Sequence, residues 1–277
     1  MITILDGPLG TELEARGVPI PPIPWWTAWA LKHQPEAVSD LHRDYARAGA
    51  TVHTTCTFRT RRRSVGDEWE QLAIKAVELL RGSVPSDHRI AGGVAPLEDC
   101  YRPDLSPGEH GRAEHRELAR LLADQRVDLL LCETFSHVGE ALAAVDECVA
   151  TGVETWVSFT SGPEDDLLTL HEVAAGSQEA VRRGARAVLV NCIPASKTLP
   201  YVERLSRLDV PFGAYANAGA TDEGLGWNAR SSAQAYADLA AQWIDAGATL
   251  VGSCCGTSPA HIAELKKRFG STKKHEK

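Results

Sequence analysis

Short apolar runs alternate along this chain with longer stretches in which apolar positions recur at helical spacing. Thr3 to Leu5 reads as a first strand, and the helical period first runs cleanly from Pro35 to Ala48. The β-branched run Thr51 to Thr55 precedes a helix from about Asp67 to Arg81, and Arg89 to Val94 leads through a Pro-rich loop to Glu109 to Gln125. Asp128 to Cys132 is followed by His137 to Ala150, Thr155 to Thr160 by Glu172 to Arg183, and Ala187 to Asn191 by Ser196 to Leu208. Pro211 to Tyr215 leads to Ser231 to Ala246, and Thr249 to Ser253 to Pro259 to Phe269. Gly152, Gly184 and Gly247 stand where three of these helices should stop. Alternation without hairpins predicts a parallel sheet. Eight such units in 277 residues predict a (β/α)8 TIM barrel, a single α/β domain over residues 1–270, with an open doubly wound sheet as the alternative. The polar tail Ser271 to Lys277 is expected to be disordered.

A barrel makes a sharp statement about chemistry, because its active site lies at the C-terminal ends of the strands. The polar residues there are Asp6, Thr57, Glu133, Cys192, Asn217 and the pair Cys254-Cys255. Adjacent cysteines bond to each other poorly, since the small ring strains disulfide geometry. At a strand end they can aim two sulfurs at one point, and Cys192, at the end of another apolar strand, can supply a third. Three thiolates with one position left for a substrate match an open zinc site.

Plainer readings stand beside this one. The Cys254-Cys255-Gly256 segment fits a tight turn with buried thiols, Glu133 a helix cap, and Asp6 a turn residue before Gly7. Cys132 and Cys148 read as core thiols, and Cys100 as incidental. His53 alternates with Thr51 and Thr55, which points it into the barrel as a hydrogen-bonded core histidine. Trp25, Trp26 and Trp29 fall in the first loop, where they either pack a lid or offer aromatic faces to a cation. Arg59 to Arg63 reads as a solvated loop, with an anion site as the functional alternative.

Composition narrows the class. With 43% hydrophobic residues the chain can bury a large core, and a net charge of −8 argues against a general nucleic-acid surface. No apolar run approaches the roughly 20 residues that span a bilayer, and Met1 runs almost directly into the first strand, so no membrane association and a cytoplasmic location are expected. Seven cysteines form no compact disulfide framework and read as thiols or metal ligands.

Several motifs are recognisable together. Ile4-Leu5-Asp6-Gly7-Pro8-Leu9-Gly10-Thr11-Glu12-Leu13, Thr54-Thr55-Cys56-Thr57-Phe58, Leu131-Cys132-Glu133-Thr134, Val190-Asn191-Cys192 and Gly252-Ser253-Cys254-Cys255-Gly256-Thr257 occur in that order. This series resembles the homocysteine S-methyltransferase family over nearly the whole chain. The resemblance implies a TIM barrel and Zn2+ bound by Cys192, Cys254 and Cys255. It implies that Asp6 and Glu133 hold the amino group of homocysteine, that Gly7, Thr57 and Phe58 help line the substrate pocket, and that Asn217 faces the metal. It also aligns Trp26 with a family tryptophan, favouring a donor-pocket role. The chain departs from the pattern at Cys56, where Asn is common, at Ser253, where Gly is usual, and in the basic loop after Phe58. The implied activity is methyl transfer to homocysteine, giving methionine, from a small sulfonium such as S-methylmethionine or S-adenosylmethionine. Betaine is disfavoured because the chain lacks a long C-terminal extension, and no residues remain for cobalamin or folate domains. A thiol–zinc buffer, a subunit of a methyl-transfer complex, and an enzyme with another thiol or selenol acceptor are the rivals. Both substrates are small molecules, and the sequence leaves the oligomeric state open.

Overall fold

Eight parallel strands close into a barrel in the computed structural model, which describes residues 1–219 and 233–270. The strands are β1 (Thr3–Ile4), β2 (Val52–Thr54), β3 (Arg89–Val94), β4 (Leu129–Phe135), β5 (Thr155–Phe159), β6 (Ala187–Pro194), β7 (Phe212–Asn217) and β8 (Leu250–Ser253). Hydrogen bonding runs in the order β1-β8-β7-β6-β5-β4-β3-β2. A parallel bridge between Leu5 and Val52, with the Asp6 amide donating to the Val52 carbonyl at 3.0 Å, joins β1 to β2. That seam rules out the open doubly wound sheet, which would leave two free edges.

Period-two alternation divides each strand between two cores. Leu5, Val52, Ala91, Leu129, Leu131, Trp156, Ala187, Leu189, Tyr215 and Leu250 fill the barrel interior. Their neighbours Ile4, Ile90, Leu130, Cys132, Val157, Val188, Val190, Ala214 and Val251 face the helices. The long apolar strands are therefore buried on both faces, as a parallel sheet demands. Cys132 meets Cys148 of the helix Val138–Val149 in the outer layer, Sγ to Sγ 3.5 Å, as two core thiols.

Local signals set most helix ends. Pro35 occupies the first turn of Pro35–Ala48, and Gly49 ends it at φ 108°. Leu170–Arg182 begins two residues before Glu172, because Thr169 and Glu172 form a reciprocal capping box. Two further helices, Gly10–Ala15 and Thr27–His33, occupy the first loop, where sequence periodicity was too short to register. The predicted helix Ser196 to Leu208 contracts to Leu199–Leu205 after a 3-10 turn at Ala195–Lys197, since Pro200 suits only the first turn. The predicted start of the next helix at Ser231 lies outside the described residues, which show Ala233–Asp245. The tail Ser271 to Lys277 lies outside them as well.

Strands β4 and β6 run past their predicted ends through register irregularities, at Cys132/Phe135 and Asn191/Pro194. His53 is a correction. Val52 faces the barrel interior, so His53 turns to the outer layer, stacking on His88 with Nε2 to Nδ1 at 3.0 Å. Burial there pushes its pKa down to about 3. Among the described residues, no helix is long and apolar enough to cross a membrane.

Candidate metal centre and substrate cavity

A cavity of about 380 Å³ opens at the C-terminal ends of the strands, and Cys192, Cys254 and Cys255 lie in its wall. Their sulfurs all fall within 4.8 Å of one another. Cys254 Sγ is 2.8 Å from Cys192 Sγ and 4.0 Å from Cys255 Sγ. Two different backbone devices bring them together. Alternation along β6 would send Cys192 outward, into the helix layer with Val188 and Val190. The irregularity after Asn191 puts Cys192 at φ 51°, a left-handed conformation costly for a residue with Cβ, and turns its side chain to the cavity. Thr134 at φ 62° does the same in β4.

The vicinal pair is fixed by its turn. Cys254 donates its amide to the Ala216 carbonyl at 2.7 Å, the Cys255 carbonyl accepts from Ala218 at 2.9 Å, and Thr257 Oγ1 donates to the Cys254 carbonyl at 2.7 Å. Gly256 then donates its amide to Thr11 Oγ1 at 3.1 Å, docking the turn on the first loop. The Tyr101 hydroxyl donates to Cys192 Sγ at 3.0 Å. With the Cys254 and Cys255 thiols and Tyr101 directed at it, Cys192 is held well below the usual thiol range. Three clustered sulfurs, one with thiolate character, fit zinc, which takes thiolate ligands at about 2.3 Å. No fourth protein ligand joins them among the described residues, so the donor set leaves a position open.

Two carboxyl groups share the cavity. Asp6 Oδ2 accepts the Thr54 amide at 2.9 Å, and burial pushes its pKa up to about 8. Glu133 points inward from β4; burial, with the charges of Asp6 and Cys192 adding to it, pushes its pKa up to about 8 as well. The Glu133 carboxylate has room only because β3 carries Gly93 opposite it, where a Cβ would lie 2.4 Å from Oε1. His53 Nδ1 lies 4.0 Å from Asp6 Oδ2, but burial keeps that imidazole neutral, and no lysine or arginine pairs with either acid among the described residues. Burial without a paired lysine or arginine disfavours the charged form of both, and a nearby cation would favour it.

Asp6, Gly7, Phe58, Glu133 and Trp26 all line the cavity. Thr57 and Asn217, expected on its surface, stand one layer behind it, because backbone acceptors take up their side chains. Thr57 Oγ1 donates to the Gly93 carbonyl at 2.7 Å. Asn217 Nδ2 donates to the Cys192 carbonyl at 2.9 Å, while its Oδ1 accepts the Gly219 amide at 2.7 Å. Asn217 therefore braces the strained cysteine rather than facing the sulfurs. Asn191 links Ser158 (2.6 Å) to Thr134 (2.8 Å) beneath them.

The first-loop tryptophans separate by role. Trp25 and Trp29 pack against the outer core, Trp25 under Lys32 and Trp29 beside His33. Trp26, at φ 39°, lies over Gly10 and meets Phe58 edge-on with ring centroids 5.2 Å apart. The basic loop is a correction. Arg59 and Arg61 are buried, Arg61 donating to the Phe58 carbonyl at 2.7 Å and to the Pro96 carbonyl. Arg63 pairs with Glu98 and Glu114, and only Arg62, paired with Asp67, is largely exposed. These arginines tie the second loop to the third, which a count of charges cannot reveal. Sequence reasoning also missed Tyr101 and Tyr215, both on the cavity wall. Tyr101 adjoins Cys100, itself a lining residue rather than an incidental one, and Tyr215 shares the inward face of β7.

The family model described as homocysteine S-methyltransferase matches residues 3–269. A homocysteine S-methyltransferase of Escherichia coli (strain K12) is 33% identical, over 96% of this chain and 95% of that protein. Crystal structures of the homocysteine methyltransferase MmuM from Escherichia coli superpose with TM-scores of 0.80 for the oxidized form and 0.77 for the metallated form. Their identities are 32% and 30%, each over 96% of both chains.

The geometry sets two expectations. Purified protein should carry about one zinc per chain with sulfur ligation, and Cys192→Ala, Cys254→Ala or Cys255→Ala should lose it while Cys148→Ala keeps it. Metal analysis and X-ray absorption check both. Asn217→Ala should weaken zinc binding on the order of tenfold, by freeing the Cys192 backbone, with far-UV circular dichroism unchanged. Competition against a chromogenic chelator measures that loss.

Proposed function

The chain belongs to the homocysteine S-methyltransferase family, whose reaction places a methyl group on homocysteine, and from that premise we propose a small sulfonium as the donor and Zn2+ on Cys192, Cys254 and Cys255. One observation carries the reading: three converging sulfurs share a cavity with two buried carboxyls that have no cation of their own. Held by these three cysteines, zinc would supply the charge that keeps the substrate thiol deprotonated and therefore nucleophilic. A thiol–zinc buffer would need neither carboxyl.

Homocysteine enters with its ammonium between Asp6 and Glu133. The incoming cation restores both carboxyls to their charged form, so binding releases protons. Gly7 lines the cavity beside Asp6, and Gly93 leaves the Glu133 side chain its room. Tyr101, hydrogen-bonded to Cys192, orients one sulfur of the site, and Asn217 holds that residue's backbone. The homocysteine sulfur then attacks the methyl carbon in line. A carbon–sulfur bond forms as the donor's own methyl–sulfur bond breaks, and the electron pair leaves on a neutral sulfide. The rate rests on placement of the two sulfurs and the methyl, since no acid or base acts at the reacting carbon. Trp26 and Phe58 offer aromatic faces to the sulfonium, whose charge disappears with transfer, so the neutral product is not trapped. Seven free cysteines suit a reducing compartment, and the reading keeps the enzyme cytoplasmic.

Methionine formation from homocysteine, with S-methylmethionine and S-adenosylmethionine in parallel, is the direct test. Turnover with at least one of them, abolished by chelation and restored by zinc, is expected. A full rate from metal-free protein, or no methionine from either donor, would overturn the reading. Glu133→Gln removes a charge-assisted contact of about 1.5–3 kcal/mol. It should raise the homocysteine KM roughly ten- to hundredfold and reduce proton release on binding, as read by calorimetry in buffers of different ionisation enthalpy. Trp26→Ala removes a cation–π contact of about 0.5–2 kcal/mol. Its donor KM should rise while zinc content and homocysteine KM stay near those of the wild type.

A further inference from the structure

Arg59 is the one basic side chain lining the cavity among the described residues, against four acids: Asp6, Glu14, Asp99 and Glu133. It is 4% exposed, so its charge is almost wholly removed from water, and that burial lowers its pKa. Nη1 donates to the Glu98 carbonyl at 2.9 Å. Nε and Nη2 find no acceptor among the described residues, and no carboxylate oxygen lies within 4.0 Å of the guanidinium. Arg61 and Arg63 next to it are committed to loop carbonyls and to glutamates. Arg61 also leaves its Nε without an acceptor, but it does not line the cavity; Arg59 is the buried arginine that stands at the cavity edge with donors to spare. Such a group is costly unless an anion completes it.

Its position says which anion. The guanidinium carbon lies 5.3 Å from the Phe58 ring centroid, and Phe58 meets Trp26 edge-on. Arg59 therefore belongs to the aromatic wall, while Asp6 and Glu133 receive an ammonium elsewhere in the cavity. A sulfonium with no anionic group would bring a second positive charge against an unpaired guanidinium. A sulfonium that also carries a carboxylate would satisfy the guanidinium and still present its cationic methyl to the aromatic rings.

We propose that Arg59 binds the carboxylate of the methyl donor, which makes the donor a sulfonium amino acid and Arg59 the residue that selects it. The proposal rests on the methyl-transfer reading above and narrows the donor class. A planar guanidinium fork suits a carboxylate in a way that a lysine point charge does not.

Donor pairs that differ only in the carboxylate test it. S-methylmethionine is compared with (3-aminopropyl)dimethylsulfonium, and S-adenosylmethionine with its decarboxylated form, at saturating homocysteine. Wild-type kcat/KM should favour the carboxylated member roughly ten- to hundredfold. In Arg59→Gln that preference should fall to within a few-fold, with homocysteine KM and zinc content unchanged. Arg59→Lys should keep part of it. A wild-type enzyme that does not discriminate, a preference that survives in Arg59→Gln, or a rise in homocysteine KM instead would each overturn the assignment. The wild-type comparison stands even if the glutamine variant folds poorly. Equilibrium binding of the same pairs to zinc-loaded protein separates the two readings. Should no donor yield methionine, methyl transfer fails. A carboxylate preference in binding that disappears in Arg59→Gln would still uphold the anion site, and its absence would overturn that site.

Discussion

Cys192 reaches the other two sulfurs only because its backbone abandons the strand. Regular pairing through β6 would continue the alternation that puts Leu189 inside the barrel and Val190 outside, and the next sulfur would be lost among the helices. The register shift between Asn191 and Pro194, with φ 51° at Cys192, reverses that outcome for one residue. A left-handed residue with a Cβ persists only where its surroundings over-determine it. Asn217 does this from β7 by holding the Cys192 carbonyl, and Tyr101 does it from the third loop by holding the sulfur. The same device recurs in β4, where Thr134 turns to the cavity and accepts a hydrogen bond from Asn191. Two neighbouring irregularities are thus linked by one side-chain network, and the mouth of the barrel is shaped as a unit.

Charge follows from that shape. Sulfurs and carboxyls gather in a space largely removed from water, where the two carboxyls resist ionisation. The raised Asp6 and Glu133 pKa values express this directly. A site so arranged favours cationic visitors. Field complementarity supplied by a fixed, dry environment is worth more than the same groups in water. The one opposing charge on the wall, Arg59, stands at the aromatic side and keeps the cavity from being uniformly acidic.

Arginines hold the loops at the barrel mouth. Arg61 binds carbonyls of both the second and third loops, Arg59 binds the Glu98 carbonyl, and Arg63 bridges to Glu98 and Glu114. These contacts place Tyr101 over Cys192 and Phe58 against Trp26. A segment that reads in isolation as solvated charge is in fact the fastening of one wall of the site.

By itself the sequence determined the barrel, because eight apolar runs separated by helical periods admit few ways to bury both faces of every strand. It also determined that the three cysteines converge, because their positions at strand ends follow once the strands are counted. The two acids were legible for the same reason. Tertiary structure decided the rest. Whether Thr57 and Asn217 meet a ligand or a backbone carbonyl depends on what stands opposite them, namely Gly93 and the bulged Cys192. His53 was misread because a strand's facing depends on its register with β3 and on the Leu5–Val52 seam, which no local pattern contains. Arg59 looked like its neighbours in a row of charges. Only packing of the third loop over it removed it from water and left part of its guanidinium without an acceptor, because burial and pairing are properties of the assembled mouth rather than of any one segment.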